Sequence, residues 1–258
     1  LSDTLPKFKT PPVVELALGV QFERLERLKA VHYGVWWQTI REQFSKVEEH
    51  GPLGPIVEPF DLTQPIEIKL QLSDRPPPVR WWFLNKEATR LIQIQEDRFV
   101  YNWRKRATSE EPYPSYDVLI EDFIGHLESF CTFLSEGKHG LFNPNMCEIT
   151  YVDHLLAGDG WKDHSEMHKV ITPVCPRYSD DFLPPMEGFG FNASYLFRQE
   201  AKALGRLKIS VAPAFRGKDK LPVAVLNVSA FSPPTSKDVR GVRAALDRVE
   251  LRFPPLPL

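Results

Sequence analysis

Residues 79–106 constrain the fold more than any other part of the sequence. They contain three short runs rich in aromatic and β-branched residues, 79–84, 91–95 and 99–104, which polar turns separate. Such residues are typical of strands, and tight turns connect antiparallel neighbours. Because successive side chains of a strand point to opposite faces, we expect an antiparallel meander with one packed and one wet face. The side chains predicted to face the core are Ile92, Ile94, Phe99, Tyr101 and Trp103, and those predicted to face water are Gln93, Gln95, Asn102 and Arg104.

The length and composition predict a soluble globular protein. With 258 residues, the chain is long enough for one large domain or two packed halves. No apolar run approaches the roughly 20 residues of a membrane span, and the first residues lack the basic and apolar regions of a signal peptide. We therefore expect a cytoplasmic protein without a membrane partner. Cys131, Cys147 and Cys175 are an odd number without paired spacing, which argues against a disulfide framework or a zinc ribbon.

The net charge of −2 gives no indication of a polyanionic partner, but the charge is unevenly distributed. From residue 198 to the end of the sequence there are twelve Lys and Arg residues against five Asp and Glu residues. A basic segment of this kind can form a docking face for an acidic partner. The alternative is that the basic and acidic regions neutralise each other across the fold.

Apolar periodicity divides the rest of the chain into short strands and long helices. In the first half we predict strands and helices in the order strand 13–22, helix 30–49, strand 66–72, the three meander strands, and helix 116–136. In the second half we predict strand 147–152, an irregular stretch 157–190, strands 193–199, 206–212 and 222–231, and helix 236–252.

The two halves, residues 1–140 and 141–258, repeat nearly the same order of elements. This repetition predicts an α+β fold in which a pseudo-duplicated antiparallel sheet carries long helices on one face. We expect the halves to pack as one globular unit, joined through their first strands. A TBP-like or helix-grip-like arrangement, in which a curved sheet embraces its helices, is the nearest known shape.

The exit of the meander is the first candidate binding site. It mixes an amide, an aromatic ring and three cations, with Arg80, Trp81 and Trp82 of the first meander strand nearby. Single-stranded nucleic-acid binders use such surfaces because bases stack on rings while Lys and Arg contact phosphates. The alternative is a solvated strand end beside core aromatics. The residues of this predicted site are Asn102, Trp103, Arg104, Lys105 and Arg106.

The second candidate is a divalent metal site formed by His164, His168 and Asp153. The two histidines are four residues apart, which on a helix places both imidazoles on one face. Asp153 follows the strand before them and could supply a third ligand. The sequence lacks the His-Glu-x-x-His pattern, and the alternative is a solvated surface helix with incidental histidines.

Several motifs together resemble a sporadically distributed bacterial protein family of unknown function. The motifs are Pro-Pro-Val-Val-Glu at 11–15 with Gly-Val-Gln-Phe-Glu at 19–23, Trp-Phe-Leu-Asn at 82–85, Thr-Arg-Leu-Ile-Gln at 89–93, Asp-Arg-Phe at 97–99, Asn-Trp-Arg-Lys at 102–105 and Cys-Glu-Ile-Thr-Tyr-Val at 147–152. The sequence departs from the family at Ala88, where a turn glycine is expected, and from about residue 249 onward. The resemblance implies an accessory or defence-type role and supplies no catalytic residues.

The sequence favours a non-enzymatic binding module that holds a small molecule or a partner protein in a curved sheet. It contains no Gly-x-Ser-x-Gly elbow, no Walker-type loop and no Gly-x-Gly-x-x-Gly motif after a strand. A metal-dependent hydrolase or nuclease is the first alternative, and single-stranded nucleic-acid binding is the second. No cofactor is expected unless the first alternative holds, in which case the cofactor is a divalent metal.

Overall fold

A computed structural model of the protein describes residues 11–58, 60, 78–109, 111–158, 160–171, 182, 184, 186–217 and 219–250. Within these ranges, nine antiparallel strands form one sheet in the spatial order second, third, fourth, fifth, first, sixth, ninth, eighth, seventh. The strands are β1 (Val13–Phe22), β2 (Lys46–His50), β3 (Arg80–Leu84), β4 (Arg90–Gln95), β5 (Arg98–Arg104), β6 (Pro144–Leu156), β7 (Phe191–Gln199), β8 (Lys202–Phe215) and β9 (Pro222–Ser232).

Three α-helices cover one face of this sheet. They are α1 (Ala30–Ile40), α2 (Ser115–Glu136) and α3 (Val239–Glu250), and a short 3₁₀ helix (His164–Lys169) lies between β6 and β7. Buried residues of every α-helix join a single hydrophobic cluster with the sheet, for example Trp36, Phe130 and Leu246. None of the helices in the described ranges is long and apolar enough to cross a membrane.

The core is centred on β1, which pairs with β5 on one side and β6 on the other. Leu16, Leu18 and Val20 alternate along β1 and are completely buried, because every second side chain of the strand faces the helices. Trp36 of α1 packs against this part of the sheet, with its ring centroid 5.9 Å from that of Phe99 and 5.4 Å from that of Phe130. Burial of such large aromatic side chains is the main stabilising contribution in this region.

The structure confirms the predicted α+β class and the large antiparallel sheet with helices on one face. The first strands of the two halves, β1 and β6, are neighbours, as expected. Counted outward from this pair, the first half runs β1, β5, β4, β3, β2 and the second half runs β6, β9, β8, β7. In each half, therefore, the first strand lies beside the last strand of the meander that follows it.

The predicted helix over residues 30–49 is wrong after Ile40. A turn follows the helix, and Lys46–His50 form the edge strand β2 beside β3. Phe44, which continued the helical periodicity, is still buried, but it enters the core from the turn. The indole N–H of Trp37 donates to the Phe44 carbonyl at 2.7 Å and fixes that turn. The predicted strand 66–72 lies outside the described residues.

The meander forms as predicted, with Ile92, Ile94, Phe99, Tyr101 and Trp103 all in the core. The prediction that its other face is wet is wrong. Gln93 is only 8% exposed, and Gln95 and Asn102 are each 2% exposed. Polar side chains can be buried when their hydrogen-bonding groups are paired, and on this face they pair mostly with one another and with a neighbouring loop.

Candidate functional site: the polar face of the sheet

The sheet face opposite the helices, called the polar face below, is lined by polar and charged side chains from several strands. The cross-strand register places them on the same side, since directly opposed residues of neighbouring strands share a face. The residues on this face include Glu15, Gly19, Gln21, Arg80, Trp82, Gln93, Gln95, Arg98, Asn102, Arg104, Glu148, Arg206 and Lys208.

A chain of hydrogen bonds crosses four strands of the polar face. Arg80 Nη1 donates to Gln93 Oε1 at 2.8 Å, and Gln93 Nε2 donates to Asn102 Oδ1 at 2.8 Å. Asn102 Nδ2 then donates to Glu15 Oε1 at 2.7 Å. Each amide uses its N–H and its oxygen, so the chain has a fixed direction from the guanidinium to the carboxylate. Burial raises the pKa of Glu15, although Asn102 and the nearby Arg104 act in the opposite direction.

Beside this chain, three nitrogen-bearing side chains pack on the indole of Trp82. The His50 ring stacks on it with a centroid distance of 3.8 Å. The Cζ atoms of Arg80 and Arg104 lie 5.3 Å and 5.2 Å from its centroid, within the range of a cation–π interaction. Burial lowers the pKa of both guanidinium groups, and the neighbouring Arg106 adds to this effect at Arg104. We call Arg80, Trp82 and Arg104 the arginine cluster.

The arginine cluster contains four buried N–H groups without an acceptor among the described residues. They are Arg80 Nε, Trp82 Nε1, Arg104 Nε and Arg104 Nη2. Unpaired buried polar groups are rare in folded proteins and call for an explanation at each place where they occur. All four groups are donors, and three of them belong to cations. The chemistry that would satisfy them is an anionic acceptor such as a carboxylate or a phosphate.

The structure brings together some of the residues predicted at the meander exit and separates others. Asn102 and Arg104 lie on the polar face, and Arg106 is close enough to affect the pKa of Arg104. Trp103 points to the opposite face, is 1% exposed and packs edge-to-face on Tyr113 at a centroid distance of 5.3 Å. Lys105 is exposed beyond the end of β5.

A segment of the chain lies across another part of the polar face. Residues 53–58, called the strap below, are held there by side-chain amides. Gln95 accepts from the Leu53 N–H at 2.9 Å and donates to the Leu53 carbonyl at 3.1 Å. Gln21 accepts from the Ile56 N–H at 2.6 Å and donates to the Ile56 carbonyl at 3.4 Å. Each glutamine therefore pairs with the backbone of one strap residue in both directions, as a neighbouring strand would.

Charged groups hold the strap at two further points. Arg98 Nη2 donates to the Gly54 carbonyl at 2.9 Å. The Glu58 carboxylate lies 3.2 Å from Arg206 Nε and also forms an ion pair with Lys208, and its side chain is only 5% exposed. Because Arg206 and Lys208 are on β8, the strap connects the sheet of the first half to that of the second.

Between these contacts, the polar face also buries a carboxylate at the junction of the two halves. Glu148 of β6 lies across Gly19 of β1, where an added Cβ would come within 2.6 Å of the Glu148 Cγ. Only glycine leaves this space. Burial raises the pKa of Glu148, and Arg98, whose Nη1 is 4.0 Å from Glu148 Oε1, opposes the rise.

The predicted metal ligands occupy separate environments. His164 and His168 begin and nearly end the 3₁₀ helix, where residues four apart do not share a face. His164 Nε2 lies 2.9 Å from the Ala214 carbonyl, and His168 Nδ1 lies 3.0 Å from the Ser165 carbonyl. Asp153 is buried on β6, and burial raises its pKa to about 6. No group of three or more His, Cys, Asp or Glu residues in the described part of the chain could hold a metal ion.

A separate cavity of about 240 Å³ lies on the helix side, lined in part by Arg90, Tyr101, Asp122 and His126. The Tyr101 hydroxyl donates to Asp122 Oδ2 at 3.0 Å, and Arg90 Nη2 lies 2.7 Å from Glu111 Oε1. Burial lowers the pKa of His126 and so favours the neutral imidazole. The Asp122 carboxylate thus accepts from Tyr101, and the Arg90 guanidinium pairs with Glu111 through Nη2, while its Nη1 has no acceptor among the described residues.

Sequence reasoning placed Arg80 near the meander exit but missed Gln93 and Glu15 as partners of Asn102. Alternation within one strand shows which residues share a face, but the register between strands decides which side chains meet, and β1 is far from β5 in sequence. The strap was missed because nothing in its composition marks it. Comparisons with protein-family models, with curated proteins and with solved structures find no match to this chain.

Proposed function

We propose that the protein is a non-enzymatic binding module that holds an anionic group of a ligand or partner protein on the polar face. The proposal depends on one observation. Four buried N–H donors of the arginine cluster have no acceptor within the described part of the chain. A carboxylate or phosphate would accept from them, and the two guanidinium groups would supply the complementary charge. Site residues are Arg80, Trp82, Asn102 and Arg104, with Arg106 at the margin.

The distribution of aromatic rings supports an anionic ligand over single-stranded nucleic acid. Base stacking needs ring faces that a base can reach. Phe99, Tyr101 and Trp103 are in the core below the helices, and the imidazole of His50 stacks on Trp82. The cations are therefore available on this face, whereas the rings that would stack with bases are already packed.

We also propose that the two halves are pseudo-duplicates that form a helix-grip-like or TBP-like scaffold. Each half has its first strand beside the last strand of its meander, and each is followed by a helix on the same sheet face. In this proposal the scaffold is shared, and binding is specific to the first half, since the arginine cluster belongs to β3 and β5. Together with the resemblance to a bacterial family, this favours an accessory or defence-type role.

The binding proposal is tested by titrating the full chain with a hexaglutamate peptide in a calorimeter at low and at high salt. We expect salt-sensitive binding that weakens at least about tenfold in Arg80→Ala and in Arg104→Ala, because each change removes a charge-assisted donor. Arg216→Ala is the matched control, since Arg216 lies beyond the end of β8, in the second half, and pairs with Asp219.

Two further probes separate the alternatives. Inorganic phosphate tests for a small anion, and an oligonucleotide of ten thymidines tests for nucleic acid. Salt-sensitive binding of the oligonucleotide without binding of hexaglutamate or phosphate would replace the proposal with the nucleic-acid alternative. Unchanged affinity of all three probes in Arg104→Ala would remove the arginine cluster as the site.

A further inference from the structure

The strap is attached to the polar face in the way that a bound peptide is attached to a receptor. Gln95 and Gln21 each pair with one backbone N–H and one backbone carbonyl, at Leu53 and Ile56. Such contacts recognise an extended main chain whatever its side chains are. The sheet thus carries two side-chain amides spaced to hold residues three positions apart on a peptide.

The strap carries an acidic side chain that is deeply buried. Glu58 forms ion pairs with Arg206 and Lys208 on β8, and its side chain is 5% exposed. The surface that holds the strap is therefore selective for a carboxylate two residues after the position of Ile56, which is the residue paired with Gln21. Arg98 adds a further polar contact within the strap, because it donates to the carbonyl of Gly54, which lies between the two amide-paired residues.

The strap contributes no side chain to the hydrophobic core of the described structure. Leu53, Ile56 and Val57 are absent from the core cluster and from the partly buried residues packed against it, and Val57 is exposed. A segment whose side chains lie outside the core can leave without opening a cavity there, and segments with few buried apolar contacts belong to the low-stability part of a fold. The strap can therefore be exchanged while the sheet remains folded.

We propose that the polar face is a binding surface for an extended acidic peptide of a partner protein, and that residues 53–58 occupy this surface in cis. The partner segment pairs its backbone with Gln21 and Gln95 and places a carboxylate on Arg206 and Lys208. This inference rests on the proposed binding role of the polar face and names its ligand as a peptide. Gln93, two residues along β4 from Gln95, lies opposite Trp82 and accepts from Arg80, so the arginine cluster is close to the strap and provides a second anion contact for a longer segment.

The test uses the full chain with residues 53–58 replaced by six Gly and Ser residues. The probe is a fluorescein-labelled peptide of the sequence Leu-Gly-Pro-Ile-Val-Glu, and binding is measured by fluorescence anisotropy. We expect the replaced chain to bind this peptide, and the natural chain to bind it at least about tenfold more weakly because the tethered strap competes at high effective concentration.

Three matched changes identify the contacts. In the replaced chain, Gln21→Ala with Gln95→Ala should weaken the peptide at least about tenfold, and a probe ending in Gln should bind more weakly than the probe ending in Glu. Gln43→Ala is the control, since Gln43 lines the cavity on the other side of the sheet. A replaced chain that keeps its circular dichroism spectrum and binds no peptide overturns the inference, as does unchanged binding after the glutamine changes.

A measurement on the natural chain covers the case in which the replaced chain does not fold. Amide hydrogen exchange is followed for Leu53 and Ile56, with Leu18 at the centre of β1 as the reference. We expect the strap amides to exchange at least about a hundredfold faster than Leu18, and faster again with excess unlabelled peptide. Equal protection of strap and β1 would show that the strap leaves only on global unfolding and would end the inference.

The outcomes also separate this inference from the proposed function. If hexaglutamate binds in an Arg104-dependent way and the strap peptide does not bind, the arginine cluster is supported as an anion site and the peptide-binding surface is rejected. Strap-peptide binding that depends on Gln21 and Gln95 but not on Arg104 supports the peptide surface and counts against the arginine cluster.

Discussion

At the scale of single residues, Asn102 is the central member of the hydrogen-bond chain on the polar face. Its amide accepts from Gln93 and donates to Glu15. Asn102→Ala would leave the buried amide of Gln93 and the half-buried carboxylate of Glu15 without these partners, and we expect a loss of about 1–3 kcal/mol in the free energy of unfolding. Urea denaturation measures the loss. Asn192→Ala on the exposed edge strand β7 is the control and should change stability by less than about 0.5 kcal/mol. Equal effects of the two changes would contradict the stabilising role of the hydrogen-bond chain through Asn102.

Asp153 gives a pH-dependent prediction at the same scale. Burial raises its pKa from 3.8 to about 6, so the folded state holds the proton more tightly than the unfolded state. The free energy of unfolding therefore falls as the pH rises from about 4 to about 6, by up to about 3 kcal/mol from this group. Asp153→Asn removes this contribution and should be the more stable protein at pH 7.

The measurement is urea denaturation of both proteins from about pH 3.5 to about pH 7, a range that spans both pKa values. Because Glu15 and Glu148 also have raised pKa values, the difference between the two curves, and not either curve alone, reports on Asp153. Glu42→Gln is the control for a carboxylate-to-amide change at an exposed position. A difference that is constant across the whole range would mean that Asp153 ionises normally in the folded state.

At the scale of elements, the turn between β3 and β4 contains a strained residue. Ala88 has a φ of 56°, in the left-handed region, where a Cβ costs about 1–2 kcal/mol relative to glycine. Glycine loses more entropy on folding, so we expect Ala88→Gly to raise the free energy of unfolding by about 0.5–1 kcal/mol. Thermal unfolding followed by circular dichroism measures the gain. Ala193→Gly within β7 should instead lower stability, and a loss in Ala88→Gly as well would exclude relief of backbone strain.

Local patterns predicted most elements of the fold because local forces determine them. Alternation indicated β1 and the meander, and three- to four-residue spacing indicated α2 and α3. The prediction failed at residues 46–50. The four-residue spacing of Trp36, Ile40 and Phe44 predicted that the helix continues past Ile40, whereas residues 46–50 form a strand. Edge pairing of β2 with β3 and the hydrogen bond from Trp37 to the Phe44 carbonyl decide the conformation there, and neither is visible in a window of local sequence.

The candidate site was predictable only in part for the same reason. Asn102 and Arg104 were identified by their position on the strand that leaves the meander. Arg80 and Trp82 were placed near them as members of the same meander. Glu15, however, comes from β1, and the strap reaches the same face from the loop after β2. A site formed where distant strands pair can be predicted only when the register of the whole sheet is known. A site formed within one turn or on one helix face can be predicted from local sequence.

At the scale of the whole molecule, the two halves share one core and one continuous sheet. β1 pairs with β6 over most of its length, with Leu18 opposite Ile149, and one hydrophobic cluster contains residues of both halves. The strap adds the ion pairs of Glu58 with Arg206 and Lys208. Neither half alone can cover the strand edge and the apolar side chains at this junction, so we expect the halves to fold only together.

This expectation is tested by cutting the chain between residues 140 and 141. The cut falls between α2 and β6, where Leu141 is 83% exposed, so a protease site inserted there should not disturb an element. We expect residues 1–140 and 141–258, expressed separately, to show no cooperative thermal unfolding, because each leaves one edge of its first strand unpaired and exposes apolar side chains of the shared core. Mixed together they should restore one cooperative transition and a one-to-one complex in analytical ultracentrifugation, as should the chain cut after folding. Cooperative unfolding of residues 1–140 alone, at the midpoint of the intact chain, would show instead that the halves are independent domains.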